Sequence, residues 1–374
     1  MRILSAAGGT GGHINPALAV AGTVREHHPD AKILFVGTAE KMESRLVPAA
    51  GYDFKTIDIT GFQRKLTLEN IKRNIGTVSK LWKASSQAKK ILLEFQPDVV
   101  VGFGGYVSGP VLRMAAKLGF KTAIHEQNAF PGKTNKVLAG EVDRVMLTVQ
   151  EAEQHLHPKQ PCVVTGLPVR GELLRADRTL SRFELGLDDR PLVLSMGGSL
   201  GAEAINRAMV DVIARFHEKA DCYFMHAMGQ YGLWVRDALK EKGVDLAKEK
   251  HVVIREYIDD MYRCMAAADV VICRSGASSL SEIEAMGRAS ILIPSPNVAE
   301  NHQYHNAMAL VSREAAVLIE EKELTGERLA QELDRLLRDP ARRNRLAENA
   351  KRLAITDANE RIYRVIMDLA GQGA

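Results

Sequence analysis

Residues 3–13, ILSAAGGTGGH, join a short apolar run to a glycine-rich turn. Such a run, bounded by turn residues, is typical of a strand buried inside a parallel sheet. Residues 192–202, LVLSMGGSLGA, repeat this order in the second half of the chain. Helical periodicity follows the glycines in both places. The two stretches therefore predict two α/β domains, each beginning with a strand, a glycine loop and a helix.

Further short apolar runs alternate with helical segments around these two stretches. They cover residues 31–36, 98–101 and 121–124 in the first half, and residues 222–227, 252–254, 270–273 and 291–293 in the second. Apolar strands separated by helices indicate parallel sheets covered on both faces. We expect two Rossmann-like domains facing each other across a cleft, residues 1–164 and 165–349. A terminal helix at about residues 350–374 is expected to pack back on the first domain.

Composition argues against several classes of protein. The 50 Lys and Arg against 46 Asp and Glu give a net charge of +4, too small to predict nucleic-acid binding. No apolar run reaches transmembrane length, and Met1–Leu4 leads into a strand without a signal-peptide pattern, so we expect neither export nor a membrane span. The four cysteines have no C-x-x-C or Cys/His ligand spacing. We therefore expect no metal site and no cofactor.

The two glycine loops predict phosphate binding, because backbone N–H groups and a helix N-terminus point at an anion after such a loop. A dinucleotide fits the first loop poorly. The spacing Gly9-x-Gly11-x-x-Ile14 lacks a third glycine, and the second strand ends without an acidic residue for the ribose. The second loop also fits the G-x-S-x-G pattern of α/β-hydrolases, with Ser199 as nucleophile.

A hydrolase remains an alternative because acid and base candidates follow in the required chain order. They are Asp259, Asp260 or Asp269, and then His302 or His305. Against it, the loop opens a second sheet instead of lying in the middle of one, and no HGGG-type oxyanion segment precedes it.

Polar or glycine-rich segments follow two other strands of the first domain. They are GFGGYVSGP at residues 102–110 and HEQN at residues 125–128. Open α/β sheets bind ligands at the carboxyl ends of their strands. These two segments and the loop that carries His13 are therefore expected to meet in one binding site.

The segment RSGASSLSE, residues 274–282, admits two interpretations. Ser279 and Glu282 have the spacing of a capping box, in which the glutamate returns to a backbone amide at the helix start. Alternatively, Glu282 accepts hydrogen bonds from a vicinal diol such as a ribose, and the amides of residues 277–279 face the ligand. The segment alone does not decide between them.

Residues 63–93 are basic and amphipathic, with eight Lys or Arg and apolar residues at helical spacing. Such a helix packs its apolar stripe on the core, or lies on an anionic membrane surface. The candidate membrane face consists of Lys72, Arg73, Lys80, Trp82 and Lys83.

Taken together, the motifs resemble those of the MurG family, the bacterial UDP-N-acetylglucosamine:lipid I N-acetylglucosaminyltransferases of peptidoglycan synthesis. The motifs, in the family's order across nearly the whole chain, are GGTGGH (8–13), GFGGYVSGP (102–110), HEQN (125–128), GGSLGA (197–202), IDDM (258–261), RSGASSLSE (274–282) and ENHQYHNA (300–307). Each motif is weak alone, and the set is highly specific. The resemblance implies a GT-B fold with UDP-GlcNAc held mainly by the second domain.

The resemblance also implies roles for individual residues. Ile258 meets the uracil through its backbone, Arg170 contacts the nucleotide and Glu282 holds the ribose. The other implied donor contacts are Thr10, Gly11, Gly12 and Ser199 near the diphosphate, Asn128, Ala277 and Gln303 near the sugar, and Ser278, Ser279, Leu280 and Ser281 beside them. Tyr106 and His125 are expected on the acceptor side. Leu200, Leu167 and His302 depart from residues often found at their places in the family, so details of donor contact are open.

The implied reaction is inverting transfer of GlcNAc to the muramyl C4 hydroxyl of lipid I, without a metal, at the cytoplasmic face of the membrane. His13 is the first candidate for the general base, because an imidazole titrates near neutral pH, and Glu126 is the second. The alternatives within the same fold are another lipid glycosyltransferase, a UDP-GlcNAc 2-epimerase and a UDP-sugar sensor that does not turn over.

Overall fold

The computed structural model describes residues 1–59 and 68–371, and only the backbone of residues 68–80. The chain divides into two compact units, Met1–Pro168 with Asp357–Ala374, and Val169–Thr356. These bounds differ from the expected domain ends at residues 164 and 349.

The first unit is built on a seven-stranded sheet in which every strand pairing is parallel. Its strands are β1 (Arg2–Ala7), β2 (Lys32–Gly37), β3 (Asp53–Thr56), β4 (Val99–Gly104), β5 (Lys121–Glu126), β6 (Arg144–Leu147) and β7 (Val163–Val164), in the order β3-β2-β1-β4-β5-β6-β7. Its helices before residue 168 are α1 (Gly11–His27), α2 (Glu43–Ala49), α3 (Leu68–Phe95), α4 (Ser108–Lys117) and α5 (Lys133–Ala139), with a 3₁₀ turn at Gln150–His155.

The second unit repeats this design with a six-stranded parallel sheet. Its strands are β8 (Leu192–Met196), β9 (Tyr223–Ala227), β10 (Val252–Arg255), β11 (Val270–Cys273), β12 (Ala289–Leu292) and β13 (Val317–Leu318), in the order β10-β9-β8-β11-β12-β13. Its helices are α6 (Gly171–Arg175), α7 (Arg178–Glu184), α8 (Glu203–Phe216), α9 (Val235–Glu241), α10 (Met261–Ala267), α11 (Ala277–Met286), α12 (His302–Val311), α13 (Gly326–Arg338) and α14 (Pro340–Leu353).

Helix α15 (Ala358–Leu369) returns to the first unit and packs on α1. Its buried residues Ile362 and Ile366 share a core with Ile14 of α1. The ring of Tyr363 stacks on His27 at 4.5 Å between centroids, and its hydroxyl lies 2.9 Å from Nε2 of His28. The end of the chain therefore completes the core of the unit in which the chain begins.

Each predicted apolar run forms a strand, because these strands are covered on both faces by helices. All six residues of β4 are buried. Three of the strands that the pattern missed, β3, β7 and β13, are short edge strands with few buried residues. The fourth, β6, is internal and mostly buried, but it is only four residues long. An edge strand with one solvated face has no continuous apolar run, so its sequence resembles a loop.

Two histidines are enclosed in the scaffold. His125 in β5 and His226 in β9 are both 0% exposed, and Nδ1 of His226 lies 2.8 Å from the hydroxyl of Ser195 on β8. Burial lowers the pKa of each imidazole from 6.5 to about 4, and a hydrogen bond at each ring opposes part of that shift. The folded protein therefore keeps both rings neutral at pH values where the unfolded chain would protonate them.

The sign of the resulting pH dependence follows from linkage. Between about pH 6.5 and pH 4 the unfolded chain binds more protons at these sites, so acidification through this window destabilises the fold. We expect His226→Phe to lose less stability than the native chain between about pH 7 and pH 5, by about 2 kcal/mol. Urea unfolding at the two pH values measures this difference.

The matched control is His157→Gln, which removes a histidine from an exposed position. A pH dependence in His226→Phe equal to that of the native chain would contradict the buried neutral imidazole.

Candidate active site

The first glycine loop joins β1 to α1 and leaves amides free at the helix start. Thr10 is the N-cap of α1 and has an extended backbone, and the helix begins at Gly11. His13 and Ile14 donate their N–H groups to the carbonyl of Thr10. The backbone N–H groups of Thr10, Gly11 and Gly12 have no protein acceptor within the described residues. Three free amides at a helix start have the arrangement that the predicted anion site requires.

His13 lies in the first turn of α1, and its ring is oriented by the backbone. Its Nδ1 is 3.0 Å from the carbonyl oxygen of Gly8 and 3.3 Å from the hydroxyl of Thr10, which can accept as well as donate. A carbonyl can only accept, so Nδ1 carries the proton in the neutral ring and Nε2 keeps a free lone pair. The ring covers Gly104, where a Cβ would lie 2.7 Å from Cδ2 and 3.0 Å from Nε2. His13 is half-buried, and within the described residues its Nε2 has no hydrogen-bond partner.

The turn after β4 packs directly on the first glycine loop. Gly104 and Gly105 have φ values of +102° and +82°, and a Cβ on Gly105 would overlap the carbonyl of Gly8. The hydroxyl of Ser108 accepts from Gly104 N at 3.1 Å and lies 3.0 Å from the carbonyl of Ala6. Tyr106, on the same turn, is 55% exposed. Two of the three predicted segments are therefore in contact.

The HEQN segment is the third of the predicted segments, and its first three residues are buried. Strand β5 extends through Glu126, so the first two residues of the segment belong to the sheet. Gln127 donates to the carbonyl of Phe103 at 2.8 Å, which places the segment beside the turn after β4. His125 lies 2.8 Å from the carbonyl of Gly166 through Nε2 and has no exposed surface. That burial is at odds with direct contact between His125 and an acceptor.

Glu126 is also enclosed, with 2% of its surface exposed. One carboxylate oxygen accepts from the backbone and side-chain N–H groups of Asn128, at 2.9 and 3.2 Å. The other accepts from Gly132 N at 3.1 Å and from Asn135 Nδ2 at 2.8 Å. With four donors satisfied, this carboxylate orders the segment between β5 and α5, and it has little capacity left for a substrate proton.

The second glycine loop lies between β8 and α8, and it is braced by a turn that the sequence analysis did not single out. The carbonyls of Ser199 and Leu200 accept from Gln230 N at 3.2 Å and Tyr231 N at 3.1 Å. A Cβ on Gly229 would overlap Gly201 N. The signal was present in the sequence, because Gly229 and Gly232 directly follow the apolar run at residues 222–227.

The geometry of this loop corrects the hydrolase hypothesis. Strand β8 is third of six in its sheet, so the expectation that the loop avoids the middle of a sheet was wrong. A nucleophile elbow, however, needs a strained serine immediately before a helix. Ser199 is not among the described non-glycine residues with positive φ, and α8 begins only at Glu203. No hydrogen bond within the described residues joins Ser199 to a histidine.

The structure of residues 274–282, after β11, contradicts the capping-box interpretation. Helix α11 begins at Ala277 with Gly276 as its N-cap, and no side chain caps it. Ser279 is therefore the third helical residue and Glu282 is free of a capping role. Oε1 of Glu282 instead meets Arg170 Nε at 3.0 Å and Nη2 at 2.9 Å.

The Glu282–Arg170 pair is partly buried and charged. The glutamate side chain is 14% exposed and the arginine side chain 50%. Burial raises the pKa of Glu282, and the guanidinium of Arg170 opposes that rise. A carboxylate held in this way keeps acceptor capacity on Oε2 for ligand hydroxyls.

The other predicted donor residues lie on neighbouring loops of the second unit. Gln303 accepts from Ser295 N at 2.9 Å through Oε1, which leaves its Nε2 donors for a ligand. Asn306 donates to the carbonyl of Ser275 at 3.1 Å and so ties α12 to the loop before α11. The side chain of Ile258 is buried, so the backbone is the part of this residue that can meet a ligand.

A groove of about 540 Å³ lies beside Tyr106 in the first unit. Leu81, Trp82 and Met114 contribute apolar surface, and the basic residues Lys89, Arg113 and Lys117 also line the groove. Arg113 is paired with Glu141, so the uncompensated charge comes from the two lysines. Trp82 is 79% exposed, and Lys83 pairs with Asp58 at 3.0 Å. The side chains of Lys72, Arg73 and Lys80 lie outside the described residues.

The described part of the chain has no helix of the membrane-spanning kind and no metal-ligand cluster. None of its helices is both long enough and apolar enough to cross a bilayer. Within the same residues no group of three or more His, Cys, Asp or Glu side chains has the arrangement of a metal site.

Comparison with known proteins agrees with this architecture. Residues 3–147 match the glycosyltransferase family 28 N-terminal domain, and residues 192–362 match the glycosyltransferase family 28 C-terminal domain. A UDP-N-acetylglucosamine--N-acetylmuramyl-(pentapeptide) pyrophosphoryl-undecaprenol N-acetylglucosamine transferase of Acetivibrio thermocellus is 43% identical over 370 residues, covering 99% of this chain and 98% of the relative. The transferase of the same name from Thermoanaerobacter sp. is 44% identical, covering 99% of this chain and 100% of the relative.

Solved structures extend the comparison to the fold. MurG of Acinetobacter baumannii superposes with a TM-score of 0.79 at 28% identity, over 98% of this chain and 99% of that structure. A putative UDP-N-acetylglucosamine 2-epimerase of Listeria monocytogenes reaches 0.68 at 16% identity, over 98% of this chain and 96% of that structure, a likeness of fold alone. The fold is of the GT-B class, and the chain belongs to the MurG family of family 28 glycosyltransferases.

Proposed function

We propose that this chain transfers GlcNAc from UDP-GlcNAc to the muramyl C4 hydroxyl of undecaprenyl-linked lipid I, with inversion at the sugar. The product is lipid II, the precursor of peptidoglycan. The observation that carries this proposal is the 43–44% identity, over 99% of the chain, to transferases whose names state this reaction.

We assign UDP-GlcNAc binding mainly to the unit Val169–Thr356. Glu282, held by Arg170, accepts hydrogen bonds from the vicinal hydroxyls of the ribose. The uracil lies against the backbone of Ile258, and the GlcNAc lies near Gln303 and Asn128. The amides at the start of α11, at Ala277, Ser278 and Ser279, with Leu280 and Ser281 behind them, complete the donor site.

The departing UDP needs stabilisation of the charge that develops on its diphosphate. The loop of Ser199 and the amides of Thr10, Gly11 and Gly12 provide backbone donors at helix N-termini. Backbone donors of this kind require no reorganisation during the reaction. We therefore expect transfer to proceed without a divalent metal.

The acceptor hydroxyl needs a general base, and His13 is our candidate. Its Nδ1 is committed to Gly8, so its Nε2 can take the proton as the C4 oxygen attacks the anomeric carbon. Glu126 is the weaker candidate because four donors already occupy its two oxygens. Tyr106, more than half exposed on the adjoining turn, is placed to contact the acceptor.

The lipid acceptor implies a peripheral position at the cytoplasmic face of the membrane. The groove beside Tyr106 combines apolar walls with basic lining residues, and Trp82 projects from the same region. Anionic headgroups attract such residues, and an interfacial tryptophan adds apolar contact. We assign the membrane face to this groove, to Lys83 and to Lys72, Arg73 and Lys80.

The donor site is tested by transfer of labelled GlcNAc to a short-chain lipid I analogue with EDTA present. We expect the native chain to remain active, and Glu282→Gln to lower kcat/KM by about 10- to 100-fold, because one hydrogen bond to a charged group is lost. Glu241→Gln, an exposed change of the same kind on α9, is the control. Donor binding without any transfer by the native chain would refute the proposed reaction.

The base is tested by His13→Gln in the same assay. We expect kcat to fall by about 10²- to 10⁴-fold, the usual contribution of a general base, while KM for UDP-GlcNAc stays unchanged. A variant that keeps more than about a tenth of the native kcat would remove His13 from this role.

The membrane face is tested by sedimentation with vesicles of phosphatidylglycerol. Each surface lysine contributes about 1 kcal/mol, so Lys89→Glu with Lys117→Glu should weaken binding by about 30-fold or more. Lys240→Glu with Lys250→Glu makes the same charge change at two exposed positions of the second unit. Equal loss in both pairs would show a general charge effect and no membrane face at the groove.

A further inference from the structure

A buried carboxylate lies directly beneath the first glycine loop. Glu43, the first residue of α2, is 0% exposed. Its Oε2 accepts from Gly9 N at 3.0 Å, and its Oε1 accepts from Thr38 N at 3.1 Å and Thr38 Oγ1 at 2.7 Å. No Lys or Arg pairs with it in the part of the chain that the structure describes. Hydrogen-bond donors alone therefore hold this carboxylate.

The backbone around Glu43 is shaped for its side chain. A Cβ on Gly8 would lie 2.7 Å from Oε1, and a Cβ on Gly37 would lie 2.5 Å from Cγ. Both positions must be free of side chains for the carboxylate to reach Gly9. A buried polar group that requires two bare backbone positions and satisfies three donors is costly to replace.

The contact reaches His13 through one peptide group. The carbonyl of Gly8 and the N–H of Gly9 belong to the same planar unit and point in opposite directions. Glu43 binds the N–H on one side, and His13 Nδ1 binds the carbonyl on the other. A rotation of this peptide would release the proton donated by Nδ1, and the ring could then carry its proton on Nε2.

We propose that Glu43 is a positioning residue for glycosyl transfer, which orients the Gly8–Gly9 peptide and thereby holds His13 in the tautomer with a free Nε2. This proposal rests on the proposed function for the role of His13, and on the hydrogen bonds above for the rest. Glu43 also occupies the N–H of Gly9, so the loop presents Thr10, Gly11 and Gly12 to the ligand in a fixed arrangement.

Glu43→Gln is the sharpest test because it keeps the shape and replaces one acceptor oxygen by an N–H₂ donor. The amide oxygen can accept from the two donors of Thr38. The N–H₂ group then faces Gly9 N–H, so two donors oppose each other and the hydrogen bond to Gly9 is lost. We expect kcat to fall by about 10- to 100-fold, as for a small misplacement of a catalytic group. KM for UDP-GlcNAc should stay within about twofold of the native value.

The second readout is the ¹⁵N spectrum of the histidine side chains, which distinguishes the two neutral tautomers. The chain has 11 histidines, and comparison with His13→Gln assigns the signals of His13. We expect the Nδ1–H form in the native chain and a mixture of tautomers in Glu43→Gln. Glu40→Gln, an exposed change of the same charge three residues away, should leave both kcat and the tautomer as in the native chain.

A folded Glu43→Gln variant with native kcat, or with a native His13 tautomer, would overturn the proposal. If this variant does not fold, Thr38→Val is the second test, because it removes only the hydroxyl group that donates a hydrogen bond to Glu43. A partial shift of the tautomer with a lower kcat would then support the proposal, and a native tautomer would refute it. If the native chain transfers no GlcNAc, the proposed function fails, and the tautomer readout still decides whether Glu43 orients His13.

Discussion

The carbonyl of Gly8 is the point on which the first unit's loop depends. It accepts the Nδ1 proton of His13, and Gly105 approaches so closely that a Cβ there would overlap it. The peptide that carries it is held from the other side by Glu43. Because interiors are closely packed, a side chain at position 8 or 105 would separate the two turns and displace the imidazole.

The glycine loop of the second unit is held in place by different contacts. Its loop is braced by the neighbouring turn, whose amides at Gln230 and Tyr231 donate to the loop carbonyls, and by the close approach of Gly229 to Gly201. Within the described residues no carboxylate forms a hydrogen bond with this loop. The loop is therefore fixed by backbone hydrogen bonds, and Ser199 stays exposed.

The sequence predicted the central strands well because a buried parallel strand has a continuous apolar run. The predicted bounds of β11 agree with the structure residue for residue, and β8 begins at residue 192 as expected. The sequence predicted the site less completely, because side-chain capping and hydrogen bonding depend on the residue at which a helix begins. Helix α11 begins too early for Ser279 to cap it, and the capping box was wrong. Glu43 was missed because an acid at a helix start ordinarily faces solvent, and its contact with Gly9 spans 34 residues of sequence.

Glu43, Glu126 and Glu282 differ in burial and in how their carboxylate oxygens are hydrogen-bonded. Glu43 and Glu126 are almost fully enclosed, and N–H or O–H donors occupy both oxygens of each. Hydrogen bonds within the protein use the acceptor capacity of both carboxylates, so neither is free to contact a ligand. Glu282 is also mostly buried, but an arginine compensates it and one of its oxygens is uncommitted. A carboxylate must keep an unsatisfied acceptor at an accessible edge to recognise a ligand diol. By this criterion Glu282 is the glutamate suited to the proposed ribose contact, and the two enclosed glutamates order the backbone around the first glycine loop and the HEQN segment.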